Sequence, residues 1–94
     1  MKDLNYLRMK INEIDEEMIK LFRARMEIVS QVGEYKIEHH MEVLDENREK
    51  EIFEKHTANI ENINERQLIE EFLKNIMTLS KKNQQKLMQS KGVK

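Results

Sequence analysis

Residues Leu4 to Lys36 read LNYLRMKINEIDEEMIKLFRARMEIVSQVGEYK, and their spacing decides the fold. Leu4, Leu7, Ile11, Ile14, Met18, Leu21, Arg25, Ile28, Val32 and Tyr35 follow alternating steps of three and four, the a/d seam of a packed helix. Only Arg25 in that series is charged. Asp3 is suited to cap the start, and nothing breaks the pattern before His39-His40, which predicts a first helix over about 4–38. Such a helix is ~50 Å long, whereas a compact domain of this size has a radius of gyration of ~12 Å, so the helix should project beyond its own globule and be covered by a second chain.

Working outward, EHHMEV (Glu38 to Val43) interrupts the periodicity and reads as a short loop. Asp45, Glu46 and Glu49 then supply the acidic first turn of a second helix over about 45–57. After a break at Asn59–Asn62, Asn62 and Glu65 have the spacing of a capping box, opening a third helix over about 63–88. Its apolar stripe is Ile69, Phe72, Leu73, Ile76 and Leu87, with Ser80 and Gln84 where apolar residues belong. Residues 89–94, QSKGVK, read as a frayed tail. The expectation is one all-α domain over 1–94.

Composition agrees. Of 94 residues, none is proline or cysteine, two are glycine and 37% are charged, which suits helices and leaves strands nowhere to sit. The net charge of −1 gives no global reason to bind nucleic acid or an anionic membrane. Without cysteine there is no disulfide frame or thiolate chemistry, and no apolar run approaches the ~20 residues of a membrane span, so a cytoplasmic protein is the default expectation.

The residues that break the apolar pattern carry the functional signal. Arg25 and Lys36 lie ~20° apart in azimuth and ~16 Å apart along the axis, a gap sized for a small ligand. Gly33 lies between them, where a missing side chain permits close approach of a ligand or of a neighbouring helix. Two cations facing a partly apolar space need an answering anion, either a bound ligand or an internal acid such as Glu49. Asp45, Arg48 and Glu49 share one polar face of the second helix, which could equally be a solvated surface. Ser80 and Gln84 could hydrogen-bond a buried polar ligand or simply join two helices. The shared feature is that all three helices place polar groups on what should be a core face.

Taken together, the run LRMKINEIDEEMIKLFRARMEIVSQVGEYK, the following LDENREKEIFE and the late SKKNQ resemble the all-helical class of chorismate mutases, over about residues 4–88. The pattern R-x-x-I-x-x-I-D-x-x-[apolar]-x-x-L-x-x-x-R with a following V-G-x-x-K is specific because several spacings must hold at once. The resemblance implies conversion of chorismate to prephenate without metal or cofactor, with Arg25 and Lys36 on the substrate carboxylates and Lys36 also reaching the ether oxygen. It implies that Asp45 and Glu49 contact the ring hydroxyl, that Arg48 and Ser80 position the polar end, and that Gln84 faces the ether oxygen opposite Lys36. Arg8 would serve the other protomer of an intertwined antiparallel homodimer. One departure is visible, since this family often has a basic residue and a proline where this chain reads HHMEV.

Geometry supports the shared site, because Arg8 lies some ~33 Å along the helix from the midpoint of Arg25 and Lys36 and cannot reach it within one chain. An antiparallel copy can, with the dyad near Met18 and Ile19. The rival readings are an isochorismate pyruvate lyase on the same fold and a non-catalytic helical dimerisation module. The chain is too short for the dehydratase, dehydrogenase or synthase domains often fused to this family, so it is expected to act alone or with a separate partner. His39-His40 lack the helical spacing of a metal site. Lys74, Lys81, Lys82, Lys86, Lys91 and Lys94, with no acid after Glu71 and no aromatic after Phe72, read as a solvated basic end rather than a nucleic-acid surface.

Overall fold

A computed structural model describes residues 3–92 of the chain. Among them are three helices and no strand: α1, Leu4–Glu38; α2, Glu46–Thr57; and α3, Ile63–Ser90. Each helix begins where a short polar side chain satisfies an otherwise orphaned N–H. Asp3 Oδ1 accepts from the Tyr6 N–H at 2.9 Å, Asp45 Oδ1 from Arg48 at 3.0 Å and Asn62 Oδ1 from Glu65 at 3.0 Å. Asp45 is therefore the cap of α2 and not its first residue. Helix α3 continues two residues past its expected end, to Ser90, before a turn at Lys91 and Gly92. The rest of the expected tail, residues 93–94, lies outside the described residues.

The end of α1 is built without glycine. His40 takes the left-handed conformation at φ 55°, the Met41 N–H reaches back to the Lys36 carbonyl at 2.8 Å, and the His40 N–H reaches the Ile37 carbonyl at 3.3 Å. These two bonds form a Schellman turn, with histidine where glycine is usual. The turn folds the loop back along α1 and brings the Val43 carbonyl within 2.8 Å of Lys36 Nζ. The HHMEV segment thus has a defined course even without a proline.

Helices α1 and α2 both pack on α3 and not on each other. Arg25 meets Ser80, Ser30 meets Asn83 and Gly33 meets Leu87, so residue numbers rise together and α1 runs parallel to α3. Glu49 meets Lys81, while His56 shares a groove with Phe72 and Leu73, so α2 runs antiparallel to α3. Arg66 ties the α2–α3 connection by donating to the Ile60 carbonyl.

This packing engages only one end of α1. From Leu7 to Leu21 every residue is exposed, and the seam side chains Leu7, Ile11, Ile14, Met18 and Leu21 are between 47% and 68% exposed. Farther on, α1 turns Val29, Gly33 and Lys36 toward α3, while the seam residues Ile28, Val32 and Tyr35 stay outside at 42–58% exposure. Apart from Arg25, which meets Ser80, the heptad seam is therefore not the face that packs on α3. Phe72, expected on the buried stripe of α3, is half exposed as well. The chain measures 56 × 28 × 15 Å with a radius of gyration of 16.9 Å, well above the ~12 Å of a compact fold of this length.

Candidate active site

Where α1 and α2 flank α3, the three helices line an open cavity of about 370 Å³. Its lining includes Arg25 and Lys36 from α1, Asp45, Arg48 and Glu49 from the start of α2, and Ser80, Lys81 and Gln84 from α3. Ile28, Val29, Val32, Val43, Ile52 and Met77 make the rest of the wall apolar. Seven of the eight residues singled out in the sequence thus meet in one place, and Arg8 is the exception. Arg8 sits in the exposed half of an α1 that runs unbroken between the two, so the ~33 Å separation stands.

Among the described residues, the most buried side chains are Val29, Met77 and two polar ones, Lys36 at 9% exposure and Gln84 at 6%. Lys36 Nζ donates to the Val43 carbonyl at 2.8 Å and to Gln84 Oε1 at 3.1 Å. Gln84 Nε2 donates to the Val29 carbonyl at 3.3 Å, so the amide is clamped between α1's backbone and its lysine. An ammonium has three N–H donors and a primary amide two, so each group keeps one donor for a ligand. Every partner of Lys36 is neutral.

Arg25 is held in a comparable way. Its Nη1 donates to Ser80 Oγ, whose own proton goes to the Ile76 carbonyl at 2.8 Å. Ser80 therefore steers the guanidinium, its hydroxyl being already engaged. Burial first, and then the charge of Arg48, lower the Arg25 pKa below the usual arginine value. An arginine so shifted still keeps its proton at neutral pH, and its charge is simply harder to hold without an anion.

The internal acid considered as a structural partner for these cations is engaged elsewhere. Glu49 Oε2 lies 3.0 Å from Lys81 Nζ, and Asp45 accepts the Arg48 backbone N–H. Arg48's own side chain reaches Glu51 at 3.5 Å on the exposed face of α2. Among the described residues, no carboxylate pairs with Arg25 or Lys36. The arrangement leaves two cations ~16 Å apart along one helix without an answering carboxylate among the described residues, which is the chemistry an anion would complement.

Gly33 also finds its explanation in packing. A Cβ there would come within 2.9 Å of Leu87 Cδ2 and 3.2 Å of Gln84 Cγ, so the missing side chain admits α3 and not a ligand. The residue that sequence reasoning missed is Lys81, which reads in the sequence as part of the basic end of α3. Its one-residue offset from Ser80 was the available signal, but only the position of Glu49 across the cavity gives that signal meaning.

No group of three His, Cys, Asp or Glu side chains among the described residues could hold a metal ion, and no helix there is long and apolar enough to cross a membrane. A family model described as chorismate mutase type II matches residues 7–85. Over 55 residues, 58% of the chain, it is 38% identical to a bifunctional chorismate mutase/prephenate dehydratase of Aquifex aeolicus, covering 15% of that protein. Over 49 residues, 52% of the chain, it is 43% identical to the T-protein of Haemophilus influenzae, covering 13% of it. The matched segment is thus a small part of each of these relatives. No solved structure matches the chain significantly.

Proposed function

The chain belongs to the type II chorismate mutase family, and from that premise we propose that it rearranges chorismate to prephenate in a homodimer whose two cavities are each completed by Arg8 of the opposite protomer. The observation that carries this reading is the pair Arg25 and Lys36, both facing one cavity and neither answered by a carboxylate of the chain. Chorismate carries two carboxylates. A dianion of that kind supplies what the cavity lacks.

The reaction is a unimolecular [3,3] rearrangement in which the ether carbon–oxygen bond breaks as a carbon–carbon bond forms, and no proton, hydride or group leaves the molecule. The protein's contribution is to select a conformer and stabilise charge. Arg25 and Lys36, with Arg8 from across the dimer, hold the carboxylates so that the enolpyruvyl side chain lies over the ring in a near-attack geometry. The apolar wall of Ile28, Val29, Val32 and Ile52 excludes water from the face where the new bond forms. Negative charge grows on the ether oxygen as its bond to the ring breaks, and the N–H donors that Lys36 and Gln84 have left over are the groups that receive it. Glu49 and Asp45 accept from the ring hydroxyl, and Arg48 closes the polar end. A cytoplasmic setting belongs to the same proposal.

The exposed seam supports the dimer. A second copy of α1 laid antiparallel, with the dyad near Met18 and Ile19, covers Leu7, Ile11 and Ile14 and carries Arg8 to the partner's cavity. The test follows loss of chorismate absorbance with prephenate and pyruvate measured in parallel. Prephenate is expected, and Lys36→Ala or Arg25→Ala should lower the rate at least a hundredfold, about 3 kcal/mol, with helicity retained. Pyruvate as the product would replace the mutase with a lyase, and near-normal turnover in either variant would remove the site.

A further inference from the structure

Neither acid that lines the cavity pairs with its two unanswered cations, and different devices hold them. Asp45 is fixed as the cap of α2 by the Arg48 N–H, 3.0 Å away. Glu49 is on a helical turn inside α2 and has no such backbone duty. Its partner is Lys81 Nζ on α3, 3.0 Å from Oε2, with both side chains mostly buried at 32% and 26% exposure. The pair joins α2 to α3 at the cavity wall, and Lys81 itself lines that cavity. By contrast, the ion pairs Lys10–Glu13 and Arg48–Glu51 join residues within one helix and are mainly exposed.

A mobile glutamate facing Arg25 and Lys36 would be the substrate's closest competitor, since it offers a carboxylate at a high effective concentration. We propose that Lys81 is a positioning residue that captures Glu49, keeping the anion receptor vacant for a dicarboxylate and the Glu49 carboxylate presented to the substrate hydroxyl. The inference rests on the reading of the cavity as a chorismate site, which it deepens. Lys81 touches neither reacting bond. Its effect passes through Glu49, and so belongs mostly to binding and little to the chemical step.

Replacing the lysine by an uncharged side chain of similar length frees Glu49 to turn toward Arg25. Lys81→Met is therefore expected to raise KM about tenfold while kcat changes less than threefold, and Lys81→Arg should restore KM to within twofold. The deciding variant is the double one. In a Glu49→Gln background no carboxylate remains to be captured, so adding Lys81→Met should change KM less than twofold, and the two substitutions should be strongly non-additive. Equal effects of Lys81→Met in both backgrounds would overturn the proposal and give Lys81 a direct contact with substrate. Unchanged KM in the single variant would overturn it as well.

Calorimetric titration of malonate, a small dicarboxylate dianion, into wild type, Lys81→Met, Glu49→Gln and the double variant separates this inference from the catalytic reading. Weaker malonate binding in Lys81→Met, recovered in the double variant, supports the capture of Glu49 even if chorismate is not turned over. Malonate affinity that is identical in wild type and Lys81→Met refutes it even if chorismate is turned over.

Discussion

The two halves of α1 carry the same heptad seam and have opposite surroundings. Residues 7–21 are all exposed, with Met18, Ile19 and Leu21 no more than edging a groove beside α3, and from Phe22 onward side chains of the helix begin to be covered. In the second half, α1 turns a face displaced from the seam toward α3 and buries Val29, Gly33 and Lys36 there. The first half has no such second face in use, and its seam is the apolar surface it has to offer. A heptad pattern states that a stripe will be covered. Here it does not state by what, and of the seam residues only Arg25 bonds to α3, the buried contacts there coming from Val29, Gly33 and Lys36, which the pattern did not mark.

The largest effect should come from breaking the bare half. Met18→Asp puts a charge on a side chain that is 49% exposed in the single chain, so the chain's own packing has little to lose. Across the proposed dyad, however, two such aspartates would face each other in an apolar interface. The expected result is a halved mass in sedimentation and a loss of activity of about a hundredfold or more, because Arg8 leaves the cavity. A fully active dimer would mean that the seam is covered some other way.

A gentler test sharpens the comparison by separating the halves into different chains. Arg8→Ala damages the bare half and Lys36→Ala the packed half, and each alone should be nearly inactive. After unfolding and refolding together in equal amounts, half the dimers are mixed and each mixed dimer has one intact site, so about a quarter of wild-type activity should return. No recovery would place Arg8 outside the site.

Within the packed half, Gly33→Ala should have a smaller effect. The substitution gains about 1 kcal/mol of helix propensity but presses Cβ against Leu87 Cδ2 and Gln84 Cγ. The end of Leu87 can move, whereas Gln84 is held by Lys36 and the Val29 carbonyl, so the amide is displaced. Activity should fall roughly tenfold, about 1.4 kcal/mol, while stability by denaturant titration shifts by no more than about 1 kcal/mol. A loss confined to stability would show that Gln84 tolerates the shift.

The smallest effect is expected from pH. Burial and Arg48 lower the Arg25 pKa, and for a cation the sign is that this group's unfavourable contribution to the fold is relieved as pH rises through the lowered value. That window is strongly alkaline for an arginine. Since Gln84 does not titrate, kcat should be nearly flat from pH 6 to 8, and a steep limb in that range would point to a titrating group in the chemical step.

Much of this was legible from residue type and spacing. Arg25, Lys36, Ser80 and Gln84 each broke an apolar face, and a polar residue in a core stripe is a strong signal whichever fold surrounds it. Asp3, Asp45 and Asn62 marked the helix starts because capping is local. What stayed hidden depended on pairing across the fold. Lys81 looked like one lysine in a solvated run until Glu49 was placed opposite it, and Gly33 could have admitted either a ligand or a helix.

Helix α2 has twelve residues and rests on α3 alone, with the cavity between it and α1. A helix this short is marginal in water without a surface to lie on. Molecules that fill the cavity touch α1 and α2 together and so give α2 its second wall. Occupancy should then be recorded as slower amide hydrogen exchange along α2, and heat should release that helix from the empty protein before the α1–α3 pair separates.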